Sequence, residues 1–199
     1  MRTIRLFIEG GGPHERTQKH LRRGFTEFLR SVFGPRVARI RVEPRGAKAL
    51  GDFRRALRTD PGDLNLLLVD SEGPVTASSG AHVAARVKAK CPGRSDQYHL
   101  MVQAFEAWLI ADPETLSIFY GQGFRRGVLP RRHDVEAIPK DELEPKLRAA
   151  SRATQKGEYH KIRHAAPLLE RLDAAKVRER AAHCNRLFCA LEAKLAELP

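Results

Sequence analysis

Short apolar runs alternate with amphipathic stretches through the first half of the chain. Residues 3–8 predict a strand, and Gly10, Gly11, Gly12 and Pro13 a loop after it. Across residues 17–33 the apolar positions Leu21, Phe25, Phe28, Leu29 and Val32 step by 4, 3, 1 and 3, which is one face of a helix. Residues 37–42 alternate Val, Ile and Arg and predict a second strand near a sheet edge, turned by Pro44, Arg45 and Gly46. A helix over residues 47–58 carries the stripe Leu50, Phe53 and Leu57. Asp60, Pro61, Gly62 and Asp63 predict a turn, and residues 64–69 are the most apolar strand. A loop rich in Gly, Ser and Pro runs to Gly80, and a helix then extends to about residue 90. A fourth strand over residues 98–102 leads at once into a helix over 103–111. Strands separated by single helices form βαβ units. The predicted class is therefore α/β, with a mostly parallel four-stranded sheet flanked by helices.

The second half shows no further strand. Asp112, Pro113 and Glu114 read as a helix start, with Asp as cap, Pro at the first position and an acid in the first turn. Residues 121–139 are irregular and basic, with Arg125, Arg126, Arg131 and Arg132. Helices are predicted over 140–153, 162–172 and 174–198. In the last, Val177, Ala181, Cys184, Phe188, Leu191 and Leu195 step by 4, 3, 4, 3 and 4. Such a stripe is either a coiled-coil seam or, as expected here, a face packed on its own domain. The chain thus divides into an α/β core, residues 1–112, and a helical extension, residues 113–199, packed on it.

Composition narrows the class. Of 199 residues, 42% are hydrophobic, enough for a real core. No run approaches the roughly 20 apolar residues of a membrane span, and with a strand expected from residue 3 no signal peptide is expected. Cys91, Cys184 and Cys189 are too scattered for a disulfide framework or a CxxC site, so reduced thiols and a cytoplasmic location are expected. Lys and Arg number 36 against 24 acids, a net charge of +12, which favours an anionic partner, nucleic acid first. A high-GC genome that places Arg for Lys is the plain alternative.

Against that basic background the acids stand out. Glu9 follows the first strand, and Asp70 and Glu72 follow the third. Two residues apart in an extended segment, Asp70 and Glu72 would share a face. In parallel α/β sheets the site lies outside the carboxyl ends of the strands. Carboxylates converging there are costly unless something positive lies between them, and a divalent cation with oxygen ligands is the usual choice. The plain alternatives are strand-ending turns with solvent-exposed acids. Gly10 and Gly11 would let a large ligand approach the backbone. With no GK[ST] and no GxGxxG spacing, the loop is neither a Walker loop nor a dinucleotide fingerprint. Glu106, three residues after Gln103, is a candidate third carboxylate or else a surface residue, whereas capping explains Asp112. Tyr159, His160, Lys161, Arg163 and His164 crowd one segment. Lys161 would neutralise charge on a phosphoryl transition state. His160 would contact substrate, or pair with His164 on a metal at i,i+4 spacing. The plain reading of the segment is a basic helix start. Arg16, Lys19, Arg22 and Arg23 on the first helix contact phosphate or are solvated.

A glutamate closing the first strand with glycine after it, then an acid pair closing a later strand, resembles the Toprim signature. That domain occurs in topoisomerases, bacterial primases and overcoming-lysogenization-defect nucleases. More closely, the whole chain resembles a bacterial family designated domain of unknown function 4276. The resemblance lies in Ile8-Glu9-Gly10-Gly11-Gly12, Leu68-Val69-Asp70-Ser71-Glu72-Gly73-Pro74-Val75 and His99-Leu100-Met101-Val102-Gln103. It continues through Glu106-Ala107-Trp108, Ala111-Asp112-Pro113-Glu114, Phe119-Tyr120-Gly121 and Tyr159-His160-Lys161. The segment Phe105-Glu106-Ala107-Trp108-Leu109 is similar to one in RloB-like abortive-infection proteins, which would make Glu106 a fourth acid. The resemblance implies a Toprim-like sheet and a Mg²⁺-dependent (or Mn²⁺-dependent) nuclease of a phage-defence system, with Glu9, Asp70, Glu72 and Glu106 as metal ligands. It further implies an ABC-type ATPase as protein partner. The second motif, Asp70-Ser71-Glu72, departs from the usual Asp-x-Asp by one methylene, which would shift metal spacing.

The expected function is therefore a nucleic-acid phosphodiesterase in which Glu9, Asp70 and Lys161 carry the chemistry. One alternative is a non-catalytic partner subunit of an ATPase, docking through an exposed 177–195 stripe. Another is a metal-dependent phosphohydrolase or transferase acting on a nucleotide. A closed pocket favours that last reading, and an open basic groove favours a nuclease.

Overall fold

Apolar alternation builds the sheet. The computed structural model describes residues 3–60, 64–91 and 93–198. Strands β1 (Ile4–Ile8), β2 (Ile40–Pro44), β3 (Leu64–Asp70) and β4 (Tyr98–Met101) form one sheet in the order β2-β1-β3-β4, with every pairing parallel. Helices α1 (Glu15–Phe33), α2 (Ala49–Thr59) and α3 (Ser79–Val87) connect successive strands. The chain passes from β1 outward to β2 and then crosses back over β1 to β3. The connections therefore change direction between β1 and β3, the position where open α/β sheets form their binding crevice.

The period of two sorts residues onto two faces. Phe7, Leu67 and Val69 pack with Phe53 of α2, Val83 of α3 and Tyr98. Ile4, Leu6, Ile8, Leu66 and Leu68 face the other way, onto α1 and the carboxyl-terminal helices. Those are α4 (Glu106–Ala111), α5 (Pro113–Tyr120), α6 (Lys140–Ser151), α7 (Lys161–Leu169), α8 (Ala174–Arg180) and α9 (Ala182–Ala196). At the centre of this larger layer Trp108 meets Phe25, Phe28 and Phe105. Among the described residues no helix is long and apolar enough to cross a membrane.

Three expected elements are corrected. The second strand begins at Ile40 rather than residue 37, because Pro35 opens a 3₁₀ turn over Gly34–Arg39 that buries Val37 on its own. The helix expected over 103–111 begins at Glu106, because Gln103 adopts φ +65° in a turn. The helix expected over 174–198 breaks at Ala181, which is extended. Two distant partners cause that break. Arg180 donates to the carbonyls of Ile110, Ala111, Arg132 and His133. Glu136 accepts from the His183 N–H at 2.8 Å, satisfying an otherwise orphaned donor at the start of α9. Val177, Cys184, Phe188 and Leu191 are fully buried against the domain, so the stripe is core and not an exposed docking seam. The turn expected at residues 60–63 lies, apart from Asp60, outside the described residues.

Asp112 holds the junction between sheet layer and helices. It is completely buried and caps α5 by accepting from the Thr115 N–H at 3.2 Å. It also accepts from the Asp173 N–H at 3.0 Å and pairs with Lys176 at 3.3 Å. Burial acts to raise its carboxyl, but these donors outweigh it and hold the group below the ordinary carboxylate value. Asp112→Ala is expected to cost about 2–4 kcal/mol in urea unfolding at pH 7, from a lost cap and stranded donors. Because the folded carboxyl is depressed, its contribution is present above about pH 4 and lost as pH falls through the folded value. The gap between wild type and variant should therefore narrow in acid, and a gap below about 0.5 kcal/mol at pH 7 would refute the role.

Candidate active site

Strand register brings two of the expected acids together. Glu9 follows β1, its N–H donating to the Leu68 carbonyl of β3 at 2.9 Å. Asp70 closes β3, on the face of Leu66 and Leu68 by alternation. Both therefore stand at the carboxyl ends of the two central strands, beside the change of direction.

Their surroundings are built from distant elements. Asp70 Oδ1 accepts from the Phe105 N–H at 2.9 Å, and Oδ2 lies 3.9 Å from Lys161 Nζ. Lys161 also pairs with Glu106 at 3.2 Å. Glu106 is 2% exposed, and its other partner is the buried Tyr159 hydroxyl, which donates at 3.0 Å. Arg86, from the last turn of α3, pairs with Glu9 at 3.0 Å and donates to the Asp70 carbonyl at 2.8 Å. Three carboxylates thus share two cations. Burial foremost, then the charges of Glu106 and Glu9, push the Asp70 carboxyl up to about 7, against the opposing pull of Lys161 and the Phe105 N–H. Burial acts to lower Lys161, but Glu106 and Asp70 outweigh it and raise the group, so it stays an ammonium. Tyr159 is driven well above its ordinary value by burial and by Glu106, and remains a phenol donor.

The glycine loop covers the same spot. Gly10, Gly11 and Gly12 have φ of +138°, +80° and +62°, a run that side chains strongly disfavour. Their carbonyls are taken by the Gly46 N–H, the Thr17 hydroxyl and the Gln18 amide. In a trans peptide the N–H points opposite to the carbonyl, so the Gly11 and Gly12 N–H groups turn away from those partners. Among the described residues neither N–H has an acceptor. Above the loop, α7 approaches α1 closely at Gly24, where a Cβ would sit 2.9 Å from the Ala166 carbonyl oxygen. That close approach carries Lys161 over the acids.

A partly enclosed cavity of about 410 Å³ results, lined by Glu9, Gly10–Gly12, Asp70, His160 and Lys161 together with the apolar Leu21, Phe25, Met101, Phe105, Ile162 and Ala165. His160, which precedes α7, lines it as expected. The His160–His164 metal pair does not form. His164 Nδ1 faces the Tyr120 hydroxyl at 3.0 Å and the His160 N–H at 3.2 Å. Glu72 is not brought to the acids. The strand ends at Asp70, Glu72 turns at φ +65°, and its carboxylate pairs with Lys140 in a neighbouring open groove of about 950 Å³. Arg22 reaches the Val42 carbonyl at 3.0 Å and Arg16 is exposed on α1, neither of them lining the cavity.

Among the described residues no group of three His, Cys, Asp or Glu side chains is arranged to hold a metal ion. The pair Glu9 and Asp70 still fits Mg²⁺ or Mn²⁺, since Mg²⁺ takes one or two carboxylates and completes its shell with water and phosphate oxygens. The unmatched negative charge around Asp70 points the same way. Glu106, with both oxygens engaged by Lys161 and Tyr159, orients the ammonium. Arg86 was invisible to sequence reasoning, its only signal being a place one helix beyond an acid-ended strand.

A family model described as "Domain of unknown function (DUF4276)" matches residues 8–192. No curated protein and no solved structure matches the chain significantly.

In chelator, the raised Asp70 carboxyl makes ionisation a folding cost. Below about pH 4 the group is protonated in both states; from there up to about 7 the unfolded chain ionises while the folded carboxyl keeps its proton, so the folded state loses stability relative to a neutral side chain until the loss is complete above about 7. Asp70→Asn is therefore expected to match wild type near pH 3.5 and to exceed it by about 1–3 kcal/mol at pH 8 in urea unfolding. A difference that does not change with pH would refute this placement of charge.

Proposed function

The chain belongs to the DUF4276 family, and we propose that it is a Mg²⁺- or Mn²⁺-dependent phosphodiesterase of Toprim type acting on nucleic acid. One observation carries the reading: Glu9 and Asp70 stand side by side at the ends of the central strands, beneath an ammonium held by a buried acid. When bound, the divalent cation supplies Lewis-acid activation of water and of a phosphoryl oxygen.

The chain's own residues do the rest. Glu9 and Asp70 provide the carboxylate oxygens, with Arg86 fixing the rotamer of Glu9. Lys161 sits where it would neutralise charge gathering on the equatorial phosphoryl oxygens. Glu106 is a positioning residue, and the Tyr159 hydroxyl in turn fixes Glu106. The free N–H groups of Gly11 and Gly12 are donors for a non-bridging oxygen. Water adds to phosphorus and gives up a proton to solvent, the P–O bond to one sugar breaks, and the departing oxygen takes a proton from solvent.

A second reading, a nucleotide phosphohydrolase, is favoured by the enclosure of the cavity around the acids. The partner-subunit reading loses the surface it would have used, because the 177–195 stripe is buried.

Titration calorimetry is expected to show Mn²⁺ binding by wild type, weakened about tenfold or more by Glu9→Gln. Lys161→Met should leave Mn²⁺ binding undiminished yet slow cleavage of single-stranded DNA or RNA by about 10²-fold. Glu106→Gln should give a milder loss and a shifted pH profile, because the ammonium loses its orienting charge. No Mn²⁺ binding by wild type, or Glu9→Gln cutting as wild type does, would refute the reading.

A further inference from the structure

The cavity's shape and lining say more than its acids do. At about 410 Å³ it has the size of a small-molecule site and cannot admit a duplex. Its floor is Glu9, Asp70 and Lys161, and its wall is Leu21, Phe25, Phe105, Ile162 and Ala165. A polyanion backbone would need a long basic track, and the large groove beside the cavity is not one. That groove carries Glu72, Asp141 and Glu144 against Lys140 and Arg148. The two spaces share the Glu144–Arg148 pair, closed at 2.6 Å, as a dividing wall. An apolar wall a few ångströms from a phosphate-binding floor suits a ligand with one flat, weakly polar part and one phosphate.

We infer that the cavity is a single-nucleotide pocket that receives the free end of a single strand. The terminal phosphodiester rests on the Glu9–Asp70–Lys161 floor and the terminal base lies against the apolar wall. The inference rests on the phosphodiester reading for what the floor binds, and adds what the wall binds. An internal nucleotide would have to bring two backbone strands through the same mouth, whereas a terminal one brings a single strand. Ile162 is 64% exposed at that mouth, one of two large apolar side chains left open to solvent among the described residues, and a stacked base would cover it.

The test compares a nucleoside 5′-monophosphate with inorganic phosphate, both titrated calorimetrically into the full chain with Mn²⁺ present. The monophosphate is expected to bind about tenfold or more tightly, the contribution of one base on an apolar face. Ile162→Glu, a surface change that leaves the fold intact, should reduce that preference to about twofold while keeping Mn²⁺ and phosphate affinity. Equal binding of the two by wild type, or a preference untouched by Ile162→Glu, overturns the pocket. A parallel arm offers linear and circular single strands of one sequence, as DNA and as RNA. Cleavage of linear strands alone supports the inference, and equal cleavage of circles overturns entry by a free end while leaving the phosphodiesterase reading intact. Selective monophosphate binding with no strand cut keeps the nucleotide pocket but refutes both end entry and the nuclease reading. The ribose and deoxyribose arms identify which strand is used.

Discussion

The Lys161 ammonium between Glu106 and Asp70 is the interaction on which the architecture of the site rests. Alternation along β3 puts Asp70 on the face that α1, α4 and α7 cover, so a carboxyl must be accommodated under a helical layer. A buried carboxylate without compensation costs several kcal/mol. Lys161 reaches it only because α7 lies low over α1 at Gly24 and because the preceding segment is fixed by the Tyr159 N–H donating to Ser151 Oγ at 2.7 Å. Lys161 remains half exposed, so the pairs it makes are softened by water and respond to what enters the cavity. The arrangement is poised rather than saturated: three acids, two cations, and one carboxyl pushed to about 7.

Much of the fold was legible because its signals are local. The apolar runs at β1, β3 and β4, the stripe Leu21, Phe25, Phe28 and Leu29 on α1, and the Asp112–Pro113 helix start all express period or capping within a few residues. Other features depend on partners far along the chain. The break at Ala181 depends on Arg180 and Glu136 reaching chain segments more than forty residues away. Burial of Glu43 on β2 depends on Arg5 from β1, with Arg41 and Arg45 beside it. Nothing in the local pattern announces a partner brought by topology.

The site divides along the same line. Glu9 and Asp70 were legible because strand ends of a parallel sheet are where sites form. Glu72 was misplaced because its reading assumed that the strand continued two residues further. Instead Ser71 Oγ donates to the Gly73 carbonyl at 2.5 Å and accepts from the Gln103 N–H at 2.7 Å, locking a turn that sends Glu72 toward Lys140. The Glu72 carboxylate thus serves another surface. Glu106 was expected as a ligand, and in the structure its carboxylate accepts from Tyr159 and pairs with Lys161.

Net charge, the broadest sequence argument for a polyanionic partner, does not by itself locate a binding surface, because several arginines serve the fold. Arg5, Arg41 and Arg45 serve Glu43, Arg86 serves Glu9, and Arg180 ties together four carbonyls. These cations hold the chain's own oxygens, and what they hold they do not offer to phosphate. Each such pair uses one charge of either sign, so the excess of 36 basic over 24 acidic residues stays with the other cations, among them the exposed Arg16, Lys19, Arg131 and Arg132. On the nucleotide-pocket reading, discrimination comes from the cavity, where a few groups act at short range in a partly dry space and each interaction counts for more than it would on an open face. On the single-nucleotide reading, the shape of one unit would be selected at the cavity, with the charge of a long chain acting on the surface around it.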